Sequence, residues 1–517
     1  MNGAQSVLRT LLDAGVDVCF ANPGTSEMHL VAALDAFPAM RAVLGLSEGV
    51  VTGAADGYAR ITGTPAAALL HLGPGLANGW ANLHNARRAG SPVVAIVGDH
   101  ATYHKRFDAP LESDIESLAD PLRGWVRRSS HAADAGADTA AAVAAAMDPP
   151  GRVASLLLPG DVSWGDGGVP VEPIPPKAPR LPGEAAIAAA AGALRDDEPT
   201  TLLLGGPACT EAGLRAASRI ARATGARVLV ETFPARLPRG AGLPSFDRLG
   251  YLPEQAAGQL DGTQRLVLAG ARSPATFFGY PDHASDLVPE GARVHQLAGR
   301  EHDATRALED LAGRVAPEYA PLLAEQARPT LPGGALTVQN WVEVIGALLP
   351  DNAIVADESN TSGLLLPQAT AGAPRHDLLT LTGGAIGQGM PVATGAAIAA
   401  RDRPVINLEA DGSAMYTLPA LWTQAREQLD VTTVVLNNRA YAILRMELGR
   451  VGAEPSGAAA KSLFDLSTPD IDFTAMASGM GVPASRATTA EELADQFRRA
   501  TSEPGPHLIE AMVPPLA

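Results

Sequence analysis

Two short clusters in the last third of the chain carry residue types suited to a hard cation and a phosphate. The apolar run Val405–Glu409 leads into Ala410-Asp411-Gly412-Ser413, and the run Val431–Leu436 ends in Asn437-Asn438. From Asp411 to Asn438 is 438 − 411 = 27 residues, room for one helix between two parallel strands. Each cluster then stands at the carboxyl end of a strand, where open α/β sheets take their ligands. A carboxylate, an amide oxygen and a backbone carbonyl are oxygen ligands of the kind Mg²⁺ accepts, with substrate or cofactor phosphates completing the octahedron. Gly412 lets the backbone approach a phosphate closely. Asp-Gly or Asn-Asn alone is an ordinary turn. Both together, each after a strand and at this interval, point to a site.

A second constellation lies near the start. Ser47-Glu48-Gly49 is followed by Ala54-Ala55-Asp56-Gly57-Tyr58-Ala59-Arg60. Asn22-Pro23-Gly24-Thr25-Ser26-Glu27 comes after the first apolar run, and His71 ends the run LLH, 71 − 48 = 23 residues beyond Glu48. A histidine so placed can relay protons near neutral pH.

These motifs resemble those of the thiamine-diphosphate-dependent 2-keto acid decarboxylases and acetohydroxyacid synthases. ADGS followed by NN resembles the family's diphosphate motif, which usually begins GDG; here Ala410 replaces the first glycine. The resemblance implies that Asp411, the Asn438 side chain and the Ala440 carbonyl bind Mg²⁺, with Gly412, Ser413 and Tyr441 beside the cofactor. Asn360 and Thr361, in Asp357-Glu358-Ser359-Asn360-Thr361, are implied to hold the diphosphate. In Thr382-Gly383-Gly384-Ala385-Ile386-Gly387, the family likeness gives the Gly384 carbonyl to the aminopyrimidine and makes Ile386 the wedge that bends the cofactor. The N-terminal segment resembles the family's E…GYAR signature, so Glu48 is implied to bond the pyrimidine ring nitrogen. Proton exchange there favours the imino form of the exocyclic amine, the base that deprotonates the thiazolium carbon. Resemblance to the benzoylformate decarboxylase branch covers nearly the whole chain and implies substrate contacts from His71 and from Thr25, in the place of a family serine.

Some positions depart from that branch. A second active-site histidine aligns with Phe277 or Phe278 in GARSPATFFGY, with His283 displaced nearby. On the segment Tyr441–Glu447, Arg445 and Glu447 make the expected pocket more polar or else face solvent. The stretch GPGLANGWANLHNARRAGSPVVAIVGD resembles the acetohydroxyacid synthases. Their phenylalanine–glutamine pair before an acidic residue becomes Pro110-Leu111-Glu112 here. The middle third has no clear flavin-binding segment, so FAD is not expected. Neither GPGLANG nor GQGMPV satisfies G-x-G-x-x-G, which weakens a dehydrogenase reading. His84, His100 and His104 stay unassigned.

Elements able to position these residues recur along the chain. Short β-rich runs alternate with Ala-rich helical stretches, and most runs end in Gly, Asp or Asn. Nearly continuous apolar strands argue for parallel sheets covered on both faces. The Pro-rich segments Val169–Gly183 and Ala327–Gly334 read as stiff linkers. The expectation is an α/β chain of three doubly wound parallel-sheet units: pyrimidine-binding at 1–168, central at 184–326 and diphosphate-binding at 335–517. The N-terminal stretch reads as an amphipathic helix without the marks of a signal peptide, and no run is long enough to span a membrane. A formal charge of 39 − 56 = −17 argues against nucleic acid and anionic lipid as partners. Two distant cysteines make neither a disulfide scaffold nor a zinc site, and Cys19 reads as a core residue.

The function expected from the resemblance is non-oxidative decarboxylation of a 2-keto acid, ending in an aldehyde or in ligation to a second carbonyl compound. A cytoplasmic homo-oligomer, at least a dimer and commonly a tetramer built as a dimer of dimers, with the first and third units meeting across subunits, goes with it. The rival expectation is a binding or regulatory relative that holds thiamine diphosphate without turnover.

Overall fold

The computed structural model describes residues 1–453 and 457–515. The first part of the chain supplies β1 (Val18–Ala21), β2 (Arg41–Leu44), β3 (Ala66–His71), β4 (Val93–Asp99), β5 (Trp125–Arg128) and β6 (Val153–Pro159). They form an all-parallel sheet in the order β2-β1-β3-β4-β6-β5. Next come β7 (Thr200–Leu204), β8 (Arg227–Val230), β9 (Leu237–Arg239), β10 (Asp247–Arg248), β11 (Arg265–Ala269) and β12 (Arg293–Ala298). All but β9 pair in the parallel order β10-β8-β7-β11-β12.

The last part supplies β13 (Ala353–Glu358), β14 (His376–Thr380), β15 (Val405–Ala410), β16 (Val431–Asn437), β17 (Ala484–Ala487) and β18 (His507–Met512). Their sheet runs β17-β18-β16-β15-β13-β14-β9. Its outermost strand is the exception to the expected all-parallel units. β9 comes from the middle of the chain and pairs antiparallel with β14, Leu237 opposite Leu378 and Arg239 opposite His376. Strands β4, β6 and β16 are buried along their whole length, as continuous apolar runs between two helical layers must be.

In the first sheet the order reverses between β1 and β3, and in the third between β13 and β15. These are the topological switch points, and the crevices at their carboxyl ends hold the residues singled out above. The two sheets are joined by the packing of the helix Glu48–Thr62 on the helix Gly389–Ala399. A Cβ on Gly57 would lie 2.1 Å from the Val392 carbonyl oxygen, and one on Gly395 would lie 1.9 Å from that of Ala54. Both helices need glycine to come so close. Arg60 then fastens all three parts. Its guanidinium donates to the Asp56 carboxylate at 2.7 and 2.9 Å, to the Thr380 carbonyl at 2.8 Å, to Thr382 Oγ1 at 2.9 Å and to the Ala235 carbonyl at 3.3 Å. The arginine of the GYAR segment is therefore a buried fastener. Removing one member of such a pair costs about 3–5 kcal/mol.

Candidate active site

The first crevice gathers residues from three chain segments. Glu48 is the opening residue of the helix Glu48–Thr62, whose N-cap Ser47 is extended and accepts a hydrogen bond from the Gly49 N–H. Two amides hold its carboxylate: Asn22, just after β1, donates to Oε1 at 3.1 Å, and Asn78 donates to Oε2 at 3.2 Å. His71 ends β3 and is followed by Leu72 in the left-handed region, φ +53°. Its Nδ1 lies 2.9 Å from Glu27 Oε2 and 3.2 Å from Ser26 Oγ. Glu27 is fully buried, and burial pushes its carboxyl up, against the Gly24 N–H and His71. A carboxylate on Nδ1 fixes a proton there and leaves Nε2 to face a ligand. The hydroxyl beside His71 is thus that of Ser26, while Thr25 is exposed and makes no side-chain hydrogen bond.

The second crevice is more deeply buried. Asp411 follows β15 and is buried; its Oδ1 accepts from the Gly412 N–H at 2.8 Å and its Oδ2 from the Arg439 N–H at 2.7 Å. Asn438 follows β16, and its Oδ1 accepts from the Ala440 N–H at 2.9 Å. Arg439 between them is left-handed, φ +58°. Asn360 shares that conformation at φ +50° and donates to Ser413 Oγ at 3.0 Å, with Thr361 buried beside it. The Tyr441 ring covers Gly412, where a Cβ would stand 2.2 Å from Cε1. Burial, then Tyr416 and Asp411, push the Tyr441 phenol up. Gly384 is exposed with φ +75°, and Ile386 is half-buried rather than a core side chain.

The support of this second crevice was hidden in the sequence. Glu358 accepts the backbone N–H groups of Gly387, Gln388 and Gly389 at 2.7, 2.8 and 2.5 Å, fixing the turn that follows Gly384 and Ile386. Burial nevertheless pushes its carboxyl up to about 7. From the first sheet's side, Asn82 donates to the Gly387 carbonyl, Asn85 brackets Ala385 through both its N–H and its carbonyl, and His84 Nε2 lies 3.2 Å from the Gly383 carbonyl. The one signal for these was polar residues at helical spacing in a stretch otherwise rich in small residues. His100 and His104 lie apart from this turn, ring centroids 5.3 Å from each other.

Beyond Gly384 stands an aromatic group from the middle of the chain. Phe277 Cε1 is 3.2 Å from where a Gly384 Cβ would be, and its ring meets those of Tyr251 at 4.9 Å and Phe233 at 5.4 Å. His283 instead faces Glu254, 3.7 Å away. Glu447 turns toward Tyr251 and Tyr280, while Arg445 is exposed.

The donors of the second crevice fit a divalent cation beside a diphosphate. Asp411, Asn438 and Ala440 are all buried and offer one carboxylate, one amide and one carbonyl. Burial pushes the Asp411 carboxyl up to about 6, and only neutral N–H groups oppose it. A buried carboxyl short of positive charge fits a cation. Among the described residues no group of three or more His, Cys, Asp or Glu offers another metal site.

Comparison with known proteins bears on the whole chain. Residues 1–119 match the thiamine pyrophosphate enzyme N-terminal TPP binding domain, and residues 365–511 match the corresponding C-terminal TPP binding domain. Mycobacterium tuberculosis IlvX, named among acetolactate synthase large subunits, is 61% identical over 517 residues and covers 100% of both chains. The chain belongs to the thiamine pyrophosphate enzyme family. Benzoylformate decarboxylase of Pseudomonas aeruginosa is 30% identical, with 96% of each chain covered. The solved thiamine diphosphate-dependent 4-hydroxybenzoylformate decarboxylase of Rhodococcus jostii RHA1 superposes with a TM-score of 0.87 at 25% identity, covering 99% of each chain. The three-sheet α/β architecture is that of this family, and the chain is a thiamine pyrophosphate-dependent enzyme of the lyase or transferase type. No helix among the described residues is long and apolar enough to cross a membrane.

Proposed function

We propose that this thiamine pyrophosphate enzyme is magnesium-dependent and removes CO₂ from 2-keto acids without oxidation, releasing an aldehyde or joining the remainder to a second carbonyl compound. The observation that carries this reading is Glu48, a half-buried carboxylate held by Asn22 and Asn78 at a switch-point crevice. Asp411, Asn438 and Ala440 hold the metal, and Asn360, Thr361, Gly412, Ser413 and Tyr441 surround the diphosphate. Gly384 offers its carbonyl to the aminopyrimidine, and Ile386 projects from the same turn. When bound, the cofactor supplies an electron sink for the bond to the departing CO₂. Glu48 meets the pyrimidine ring nitrogen and exchanges a proton with it. His71, its Nδ1 proton fixed by Glu27, offers Nε2 to the substrate, and Ser26 takes the hydroxyl role expected of Thr25.

All hydrogen bonds of the Glu48 carboxylate stay within the first sheet's crevice. Pairing that crevice with the third-sheet crevice of a second copy completes a site, so the working form is a cytoplasmic homo-oligomer. The relatives named above support both outcomes of the reaction, one as a decarboxylase and one as an acetolactate synthase.

The test is product analysis of cofactor-loaded protein with pyruvate, benzoylformate and branched 2-keto acids. Turnover that Glu48→Gln abolishes, with cofactor retained, is expected. Cofactor binding without any turnover would make the chain a binding or regulatory relative instead.

A further inference from the structure

The aromatic group over Gly384 has a charged floor. Glu447 lies on the helix Ala442–Arg450, which starts directly after Tyr441. Six residues at about 1.5 Å each put it about 9 Å along that helix from Tyr441. Its carboxylate stands beside the hydroxyls of Tyr251 and Tyr280. Burial first, then Glu447, push both phenols up, Tyr280 to about 12, so each stays protonated and turned to the carboxylate as a neutral donor that brings no positive charge.

Cations nearby are committed elsewhere. Arg450 makes its ion pair with Glu254 at 2.6 Å, and His283 also faces Glu254. Among the described residues no ion pair reaches Glu447. Its Oε1 and the Tyr280 hydroxyl are both buried without a well-formed hydrogen bond, and the neighbouring phenols are the donors turned toward the carboxylate. A buried carboxylate oxygen without a positive partner is costly unless a ligand supplies one. From Tyr251 the aromatic group continues to Phe277 at 4.9 Å and on to Phe278 at 6.1 Å, and both phenylalanines remain partly exposed. A carboxylate at the edge of an aromatic group suits an organic cation, which the carboxylate pairs and the rings attract.

We propose that Glu447 is a specificity-determining residue that selects a 2-keto acid whose side chain ends in a cationic group. The claim rests on the function proposed above and names the substrate class of that same site. The side chain extends from Gly384 past Phe277, and its ammonium or guanidinium donates to Glu447 Oε1.

The test uses two nearly isosteric probes, para-(aminomethyl)phenylglyoxylate and para-ethylphenylglyoxylate, with the cofactor-loaded enzyme. Affinity is read by calorimetry and turnover by CO₂ release. The wild-type protein is expected to favour the cationic probe by about tenfold or more, the scale of one charge-assisted hydrogen bond. Glu447→Leu should reverse that ratio, and Glu447→Gln should bring it near one. Tyr280→Phe, which keeps the ring, should retain the cationic preference. Equal losses for both probes in every Glu447 variant would make the residue a structural tie between the helix and the middle of the chain, and overturn the proposal. Turnover without charge discrimination also overturns it. Charge-selective binding without turnover upholds the selectivity and overturns the proposed reaction.

Discussion

The two crevices solve the same problem, holding polar groups at a switch point, by opposite means. Around Glu48 and His71 the work is done by side chains from distant segments: Asn22, Ser26, Glu27 and Asn78. Around Asp411 and Asn438 it is done by backbone amides within a residue or two, or just across the neighbouring strand: Gly412, Arg439 and Ala440. The first remains partly open, with the His71 side chain 22% exposed, whereas Asp411 is 2% exposed. Side-chain support suits a group that must trade protons and adjust. Backbone support suits a group that must hold a cation in fixed geometry. The contrast predicts a division of labour, chemistry at the first crevice and retention at the second.

The sharpest way to break that division is to compare Glu48→Gln with Asp411→Ala. Glu48→Gln should lower turnover by about a thousandfold while cofactor affinity changes little. Asp411→Ala should weaken magnesium-dependent retention of thiamine diphosphate by on the order of a hundredfold, measured by calorimetry. If both variants lose the cofactor equally, the division fails. Asn78→Ala is expected to cost about tenfold in kcat with unchanged cofactor binding, because one donor to the carboxylate is lost. A change confined to cofactor affinity would place Asn78 in packing rather than in the handling of Glu48.

The smallest effect concerns acid. His376 on β14 is buried beside the strand that leads to Asn360, and burial lowers its titration to about 4. A histidine depressed in the folded state contributes full stability above its ordinary value of about 6.5. That contribution is lost as pH falls through 6.5 toward 4, by up to about 3 kcal/mol. Urea denaturation at pH 7 and pH 5 should show a drop that His376→Gln makes shallower. An unchanged slope in that variant would remove the third sheet's burial as the source of its acid sensitivity.

Much of this was legible beforehand. The runs containing β1, β3, β4, β6, β7, β8, β11, β13, β15, β16 and β18 are apolar and most end in turn residues, so their strands could be read directly. The edge or polar strands β2, β5, β10 and β17 could not, because their burial alternates or is partial. The Asp411–Asn438 pair was readable since its partners are local in sequence. Glu27 was not, because it sits in the short turn Thr25–Glu27 and its partner His71 lies 44 residues away at the end of β3, and a buried glutamate looks like a surface one until the contact is known. Glu358 beside Asp357 posed the same ambiguity: two adjacent acids at a strand end, of which only the structure tells which takes the three amides.

The strand β9 carries a consequence for how the chain can change over time. It is made in the middle of the sequence yet completes the sheet that bears Asp411 and Asn438. A hybrid built by grafting a foreign middle segment between the two ends would strip β14 of its partner and leave an open strand edge prone to wrong pairing. Any exchange of the middle segment therefore has to bring a strand that keeps the register of Leu237 opposite Leu378 and Arg239 opposite His376.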